Sequence, residues 1–359
     1  MQIEEYLWMI YGAFFLASIV FSILINFIFL RFAQNLGIRG GFDTHSRWST
    51  VQKPAFGGIS FYIIFLLSFT TFTTFFSSIE NMPNTSMIGL VFATALSFLM
   101  GLADDAFNTR PALKLTVQIL SAMILIYTGT SIQLFESNSL NYALTILWVV
   151  GMMNSINMLD NMDGITSLTA IIAIVSTLIM LYLTGNYFTI YFFTLIGVLA
   201  SLIGFLFFNW SPSKLFMGDT GSQFLGLFLA FIGIKYFWNI EGLLLANPIF
   251  DKFIIIFAFF AVPLIDTLTV TINRILRRQS PMVGGKDHTT HTLAYLGLSD
   301  KQVALFFAFM SVLFSGITIY HISVKKGIDA MSELLILCLF LALFSTLLYL
   351  NRILVKSTL

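Results

Sequence analysis

The chain is a succession of apolar runs separated by short polar stretches. A membrane-spanning helix needs about 20 mostly apolar residues. Runs of that kind fall at roughly 6–30, 56–78, 86–103, 115–130, 140–156, 165–184, 188–208, 221–240, 252–273, 303–324 and 331–351. Several are short, and the fourth and fifth are expected to tilt or to pack inside the others. No repeat of 20–50 residues interrupts the series, and no linker is long enough to separate one domain from another. The pattern predicts an all-α, polytopic integral membrane protein with about 10–11 transmembrane helices in one domain over residues 1–359.

The basic residues orient the series, because cytoplasmic loops collect Lys and Arg. With the N-terminus outside, the inner side receives Arg31, Arg39, Arg47, Lys53, Arg110, Lys114, Lys214, Arg274, Arg277, Arg278, Lys286, Lys301, Arg352 and Lys356. Only Lys235, Lys252, Lys325 and Lys326 fall outside. Glu4, Glu5, Glu80, Glu136, Glu241 and Glu333 then lie on the outer side, as ordinary solvated loop charges would. Asp43, Asp104, Asp105, Asp160, Asp163, Asp219, Asp287 and Asp300 lie inside, at span ends beside Gly and Asn. Asp266 alone sits within a run, where an internal ion pair or hydrogen bond supporting the inner loops would account for it.

Composition strengthens the membrane reading. Hydrophobic residues make up 58% of the chain and charged residues only 10%, against about 25% charged in a typical soluble domain. So few charges cannot furnish a water-facing surface. A net charge of +1 excludes nucleic-acid binding through a basic field. The single cysteine, Cys338, lies in an apolar run and offers neither a disulfide framework nor a thiol metal site. Glu4 and Glu5 stand where a signal peptide would carry basic residues, and the run behind them is too long for one.

Five polar segments on the inner side carry candidate chemistry. The first is Gly101-Leu-Ala-Asp104-Asp105, followed by Arg110, Lys114 and Gln118. Adjacent carboxylates repel, so keeping both ionised at a membrane boundary requires a cation nearby; the plainer reading is a helix end with two capping aspartates. The second is Asn154-Ser-Ile-Asn157-Met-Leu-Asp160-Asn161-Met-Asp163-Gly164. Its Asn and Asp pairs are three residues apart, on one face of a helical turn, and its oxygens suit a hard cation or a polar nucleotide. A polar loop with a cap at Asp163 is the alternative.

The third is Lys214-Leu-Phe216-Met-Gly218-Asp219-Thr-Gly221-Ser222, where a lone carboxylate between glycines either caps the next helix or holds Mg²⁺. The fourth is Pro281-Met-Val-Gly-Gly-Lys286-Asp287-His288-Thr-Thr-His291, preceded by Arg274, Arg277 and Arg278. Two histidines three apart beside four basic residues suit a pyrophosphate, although the arginines alone would serve as topology determinants. The fifth, Lys53-Pro54-Ala-Phe-Gly57-Gly58, looks like a turn that carries a cation into the next span. All five fall on one face under a topology set by Lys and Arg alone. Carboxylates, amides, histidines and cations together at a membrane surface form a set suited to phosphate chemistry. A secondary transporter would instead place its ionisable residues and broken helices near the midplane, and a non-catalytic scaffold would show no Mg²⁺-dependent activity.

These motifs, in this order and spacing from about Arg47 to His291, resemble the polyprenyl-phosphate N-acetylhexosamine-1-phosphate transferases, a family that includes phospho-N-acetylmuramoyl-pentapeptide transferase. The resemblance implies transfer of a sugar-1-phosphate from a UDP-N-acetyl sugar to a polyprenyl phosphate lipid at the inner (plasma) membrane, with release of UMP. It implies Mg²⁺, with Mn²⁺ as a substitute, and is compatible with a homodimer. Under it, Asp104 and Asp105 match the paired aspartates beside the lipid phosphate, and either would orient or deprotonate the acceptor. Lys114 matches a basic residue that follows them. Asn157 and Asp219 match metal-binding positions, Asp163 matches the uracil contact, and Phe216 is placed to stack on the same ring. His288 and His291 match the first and last of a His-x-His-His motif that handles the pyrophosphate. Lys53, Asn154 and Asp160 complete the expected substrate contacts.

Departures from the family pattern are Thr290 for the middle histidine, Thr292 for the following arginine, and Asn161 for a common glycine. Lys286 or Arg278 is expected to compensate for the missing charge, and a histidine restored at 290 is expected to be tolerated. The Thr-Pro-Thr-Met-Gly-Gly stretch and triple histidine of the pentapeptide transferase are missing. Their absence favours an amino-sugar donor, with UDP-N-acetylglucosamine the family default.

Overall fold

In the computed structural model, residues 2–35, 53–76, 84–243, 247–280 and 284–358 are described. Arg39, Asp43, Arg47, Glu80 and Pro281 lie outside the described residues, as do the side chains of Glu4, Glu5 and Lys356. The elements are α1 (Gln2–Asn35), α2 (Gly58–Phe75), α3 (Thr85–Phe107), α4 (Pro111–Tyr127), α5 (Asn138–Leu159), α6 (Ile165–Leu183), α7 (Ile190–Asn209), α8 (Gly218–Gly233), α9 (Pro248–Phe259), α10 (Ala261–Leu276), α11 (Thr289–Tyr295), α12 (Asp300–Ile319) and α13 (Ala330–Thr358). π-helical turns extend α8 over Ile234–Trp238 and α12 over Tyr320–Lys325. The described residues contain no strand. This is an all-α, multi-pass membrane protein.

Nine of the described helices are long and apolar enough to cross a membrane, ten if α9 and α10 count as one broken span. Two of the eleven apolar runs therefore behave differently from a simple crossing. The run at 115–130 becomes α4, whose 17 residues rise only about 25 Å at 1.5 Å per residue, less than a bilayer core. The run at 252–273 splits at Phe260 into α9 and α10, bent by 91°. Pro263 explains the site of the break: its ring cannot follow an unbroken helix through the carbonyl four residues back, but fits the first turn of a new one.

Helix α8 is the centre of the bundle and packs on α2, α3 and α5. Side chains along it, from Phe224 and Phe228 to Phe231, are fully buried. Two glycines allow its N-terminal end to be approached by backbone. A Cβ on Gly58 of α2 would lie 2.1 Å from the Gly221 nitrogen, and one on Gly101 of α3 would lie 2.3 Å from the Asp219 carbonyl oxygen. α1 and α13 lie at the periphery, largely unburied within the protein. At the end of the bundle formed by the start of α1, the end of α6 and the start of α7, Trp8 packs against Tyr11, Tyr182 and Tyr187. Such an aromatic group suits a membrane–water interface. Asp251, in the first turn of α9, and Asp329, before α13, do not join the aspartates of the polar segments, which gather at the opposite end.

Candidate active site

The polar segments meet where α3, α5, α7 and α10 end and α2, α4, α6 and α8 begin. Residues 53–58 and 214–218 pair through their backbones: Phe216 N donates to Pro54 O (2.9 Å), Gly57 N to Phe216 O (3.1 Å) and Gly58 N to Met217 O (3.1 Å). This pairing fixes the entry into α8. Asp105, from the end of α3, accepts from the backbone nitrogens of Asp219 and Thr220, each at 2.9 Å, and from Thr220 Oγ1 at 2.6 Å. It caps a helix in a distant stretch of the chain, satisfying donors that the first turn of α8 cannot pair internally.

The other member of the pair points elsewhere. Asp104 Oδ1 accepts from Thr109, and its Oδ2 stands 2.8 Å from Lys114 Nζ. The same ammonium donates to Asp219 Oδ2 at 2.5 Å. Lys114 thus bridges two carboxylates from α3 and α8. Asn157, at the end of α5, completes the group by donating from Nδ2 to Asp219 Oδ1 and to Ser222 Oγ, both at 2.9 Å.

One turn deeper on the same three helices lies a layer of amides. Gln118 follows Lys114 by four residues, Gln223 follows Asp219 by four, and Asn154 precedes Asn157 by three. Gln118 Nε2 donates to Gln223 Oε1 (3.0 Å) and Asn154 Oδ1 (3.3 Å), while Asn154 Nδ2 donates to Gln118 Oε1 (2.9 Å). The i, i+3 and i, i+4 spacing stacks the layers, so the amides hold α4, α5 and α8 in register beneath the charges.

The segment between α5 and α6 links this centre to two flanks. On one flank, Asp163 accepts from Ser213 N (2.9 Å) and Ser213 Oγ (2.7 Å), with Lys53 Nζ 3.4 Å away. Lys53 also donates to Ser213 Oγ and lies 5.0 Å from the centre of the Phe216 ring. Gly164 adopts φ +77°, a conformation favoured for glycine, and its nitrogen donates to buried Asn209.

On the other flank is the histidine-bearing helix α11. Asp266, fully buried in α10, accepts from His288 Nδ1 (2.9 Å), Thr289 N (2.8 Å) and Thr289 Oγ1 (2.6 Å). A carboxylate only accepts, so Nδ1 of His288 carries a proton, and Nε2 is the ring atom turned away from Asp266. Arg274 grips Asp287 through Nε (2.9 Å) and a terminal nitrogen (2.6 Å). Burial alone would raise the Asp287 carboxyl; the Arg274 hydrogen bonds and charge hold it below the usual carboxylate range. His291 is fully buried, edge-on to His288 with ring centres 5.4 Å apart. Burial, then the charge of His288, lowers it to about 3, so it is neutral at ordinary pH. Thr290 Oγ1 donates to Asn161 Oδ1 at 2.6 Å, joining α11 to the segment after α5.

Residues 87–237, from α3 through the end of α8, match the family described as glycosyl transferase family 4. A Bacillus subtilis protein named as a probable undecaprenyl-phosphate N-acetylglucosaminyl 1-phosphate transferase is 28% identical over 312 residues, covering 84% of this chain and 82% of its own. The phospho-N-acetylmuramoyl-pentapeptide-transferase of Leuconostoc citreum is 27% identical over 347 residues, covering 89% of this chain and all of its own. That of Levilactobacillus brevis is 29% identical over 243 residues, 62% of this chain and 73% of its own. Over that stretch the chain is similar to glycosyl transferase family 4.

The structure unites Asp104, Lys114, Asn157 and Asp219 in one contact group, and Lys53, Asp163 and Phe216 in a second beside it. Asp105 joins the first group through the α8 backbone. Asn154 lies one turn below, in the amide layer. Asp160 is half-buried at the end of α5, and Lys286 is half-buried in the stretch before α11. Arg278 is exposed beyond the end of α10, with φ +59°. Ser213, Asp266 and Asn351 were not among the expected site residues. Asp266 had a signal, as the one carboxylate inside an apolar run, and its hydrogen bonds do support the inner segment.

The donor set also bears on a metal. No three His, Cys, Asp or Glu side chains stand together as metal ligands among the described residues. Mg²⁺, however, usually takes one or two carboxylates and keeps water and phosphate oxygens for the rest. The Lys114 ammonium between Asp104 and Asp219 marks a place where positive charge is held by two carboxylates. Asp219 with the amide oxygen of Asn157 therefore fits such an ion.

Proposed function

We propose that the chain transfers N-acetylglucosamine-1-phosphate from UDP-N-acetylglucosamine to a polyprenyl phosphate at the cytoplasmic face of the cell membrane, releasing UMP. The observation that carries this reading is the Lys114 ammonium shared by Asp104 and Asp219 at the ends of membrane helices, flanked by the Asp163–Lys53 contact and a histidine helix. The acceptor is an anion with a long apolar tail, and the donor is a charged soluble nucleotide. They can meet only where a lipid-facing bundle opens to water. The names of the relatives supply the same reaction class, and the missing pentapeptide-transferase motifs favour the amino-sugar donor.

In the proposed step an acceptor phosphate oxygen attacks the sugar-bearing phosphorus of the donor. A new P–O bond forms, the P–O bond to the uridine monophosphate oxygen breaks, and UMP leaves with the electron pair. Asp104 faces the shared cation and takes the acceptor-side role, orienting the lipid phosphate or accepting its proton. Lys114 offsets the negative charge of two approaching anions. Lys53, Asp163 and Phe216 receive the uridine end. His288, its Nδ1 held by Asp266, directs Nε2 toward the pyrophosphate. Magnesium, held by Asp219 and Asn157, would neutralise charge on the phosphates, and Mn²⁺ would serve in its place.

The test is a donor panel with detergent-solubilised protein and polyprenyl phosphate, scored by UMP release and lipid product. UDP-N-acetylglucosamine should be consumed in a Mg²⁺-dependent manner, with UDP-N-acetylgalactosamine and UDP-N-acetylmuramoyl-pentapeptide turned over far less. No UMP release with any donor would overturn the reading, as would preferential use of the pentapeptide donor for the choice of sugar.

A further inference from the structure

Helix α13 is the least buried of the described spans, with 11% of its apolar window covered. Near its end, at the site end of the bundle, Asn351 is fully buried. Its amide is fully used. Nδ2 donates to the Asp287 carbonyl oxygen at 2.7 Å and to Thr292 Oγ1 at 2.8 Å, while Oδ1 accepts from Asn273 Nδ2 of α10 at 2.8 Å. The two acceptors lie on either side of His288 in sequence, and Thr292 Oγ1 itself donates to the His288 carbonyl oxygen. Asp287 is the residue gripped by Arg274, and Thr292 stands where the related pattern carries an arginine.

We infer that Asn351 is a positioning residue for the reaction: α13 fastens the histidine-bearing segment to α10, so that His288 meets the donor in one fixed orientation. A peripheral helix has little reason to bury an amide, because an unsatisfied polar group in an apolar surrounding is costly. It is stable here because each polar atom has a partner in the segment it holds. Thr292 carries no charge with which to tether this segment. In this chain a threonine and a remote asparagine do so through neutral hydrogen bonds, from a helix outside both the family match over 87–237 and the motifs themselves.

The inference rests on the proposed role of His288, so the experiment includes His288→Asn beside Asn351→Leu, Asn273→Leu, the double variant and Thr292→Val. All are assayed as purified full-length protein, with rates normalised to the folded fraction. Asn351→Leu is expected to lower kcat at least tenfold while the donor KM stays within threefold. Asn273→Leu should do the same, and the double variant should be no worse than the poorer single, because both act through one amide. Thr292→Val, nearly the same shape, should lower kcat threefold or more and gives a reading even where Asn351→Leu does not fold. A kcat within twofold of the parent for folded Asn351→Leu or for Thr292→Val, beside an inactive His288→Asn, overturns this inference alone. A fully active His288→Asn removes the segment from the reaction and overturns both.

Discussion

The hydrogen bond between Thr290 and Asn161 joins two residues that both depart from the family pattern, and it makes a quantitative prediction. Thr290 is fully buried and its Oγ1 lies 2.6 Å from Asn161 Oδ1. Thr290→Val keeps the shape and removes the donor, leaving a half-buried acceptor unpaired at a cost of about 1–3 kcal/mol. If that bond holds α11 against the segment after α5 during reaction, kcat/KM falls by roughly one to two orders of magnitude, at about 1.4 kcal/mol per tenfold. Thr290→His adds volume where none is open and should cost a further ~1–3 kcal/mol through overpacking. Burial therefore reverses the expectation that a histidine is tolerated there. Asn161→Gly frees the space opposite, so the double variant Asn161→Gly/Thr290→His should recover to within severalfold of the parent. The assay is UMP release at saturating lipid phosphate, analysed as a double-mutant cycle with a coupling of at least about 1 kcal/mol. A fully active Thr290→His single variant, or effects that simply add, would refute the reasoning.

Asp219→Asn removes the carboxylate shared by Lys114 and Asn157; turnover should vanish across a Mg²⁺ titration while the protein still folds, and near-normal turnover would exclude Asp219 as a ligand. His291 makes a pH prediction. Its folded pKa of about 3 lies below the ordinary histidine value of 6.5, so its contribution to stability is complete above pH 6.5 and is lost as pH falls below it, by about 2 kcal/mol at pH 5. Melting temperatures at pH 7.5 and 5 should differ less for His291→Asn than for the parent, and an equal difference would rule His291 out as the cause.

The apolar runs predict most of the helices, because a chain with 10% charged residues has few other ways to satisfy its backbone in lipid. They miss two irregularities, the shortness of α4 and the α9–α10 break, since hydropathy alone registers neither a shortfall in length nor the geometry of Pro263. The aspartate and asparagine segments are legible because they sit at run ends, where a bland sequence would place any polar residue. What each does there is not legible, because Asp105 and Asp104 differ only in which way they point. Asn154 reads as a substrate contact from its spacing but lies one turn too deep, beside Gln118. Asn351 has no local signal at all: one amide near the end of an apolar helix acquires meaning only from Asp287 and Thr292, about 60 residues earlier.

The adjacent aspartates show how a single motif divides its work. Asp105 places both oxygens on the first turn of α8, one on the Asp219 nitrogen and the other on the Thr220 nitrogen and hydroxyl. Asp104 keeps one oxygen on Thr109 and turns the other to Lys114. The first therefore sets where Asp219 stands, and in the proposed reaction the second faces the reacting groups. Substitution should separate them. Asp105→Asn offers one acceptor where two are needed, so it should lose about 1–2 kcal/mol of capping and lower melting temperature and turnover together. Asp104→Asn still accepts from Thr109 but presents an amide to an ammonium. It should lower turnover at least about a hundredfold, the scale of a positioned acid–base group, without a matching loss of stability. An Asp105→Asn protein that melts like its parent yet fails to turn over would return Asp105 to the chemistry, and the division of labour would have to be abandoned.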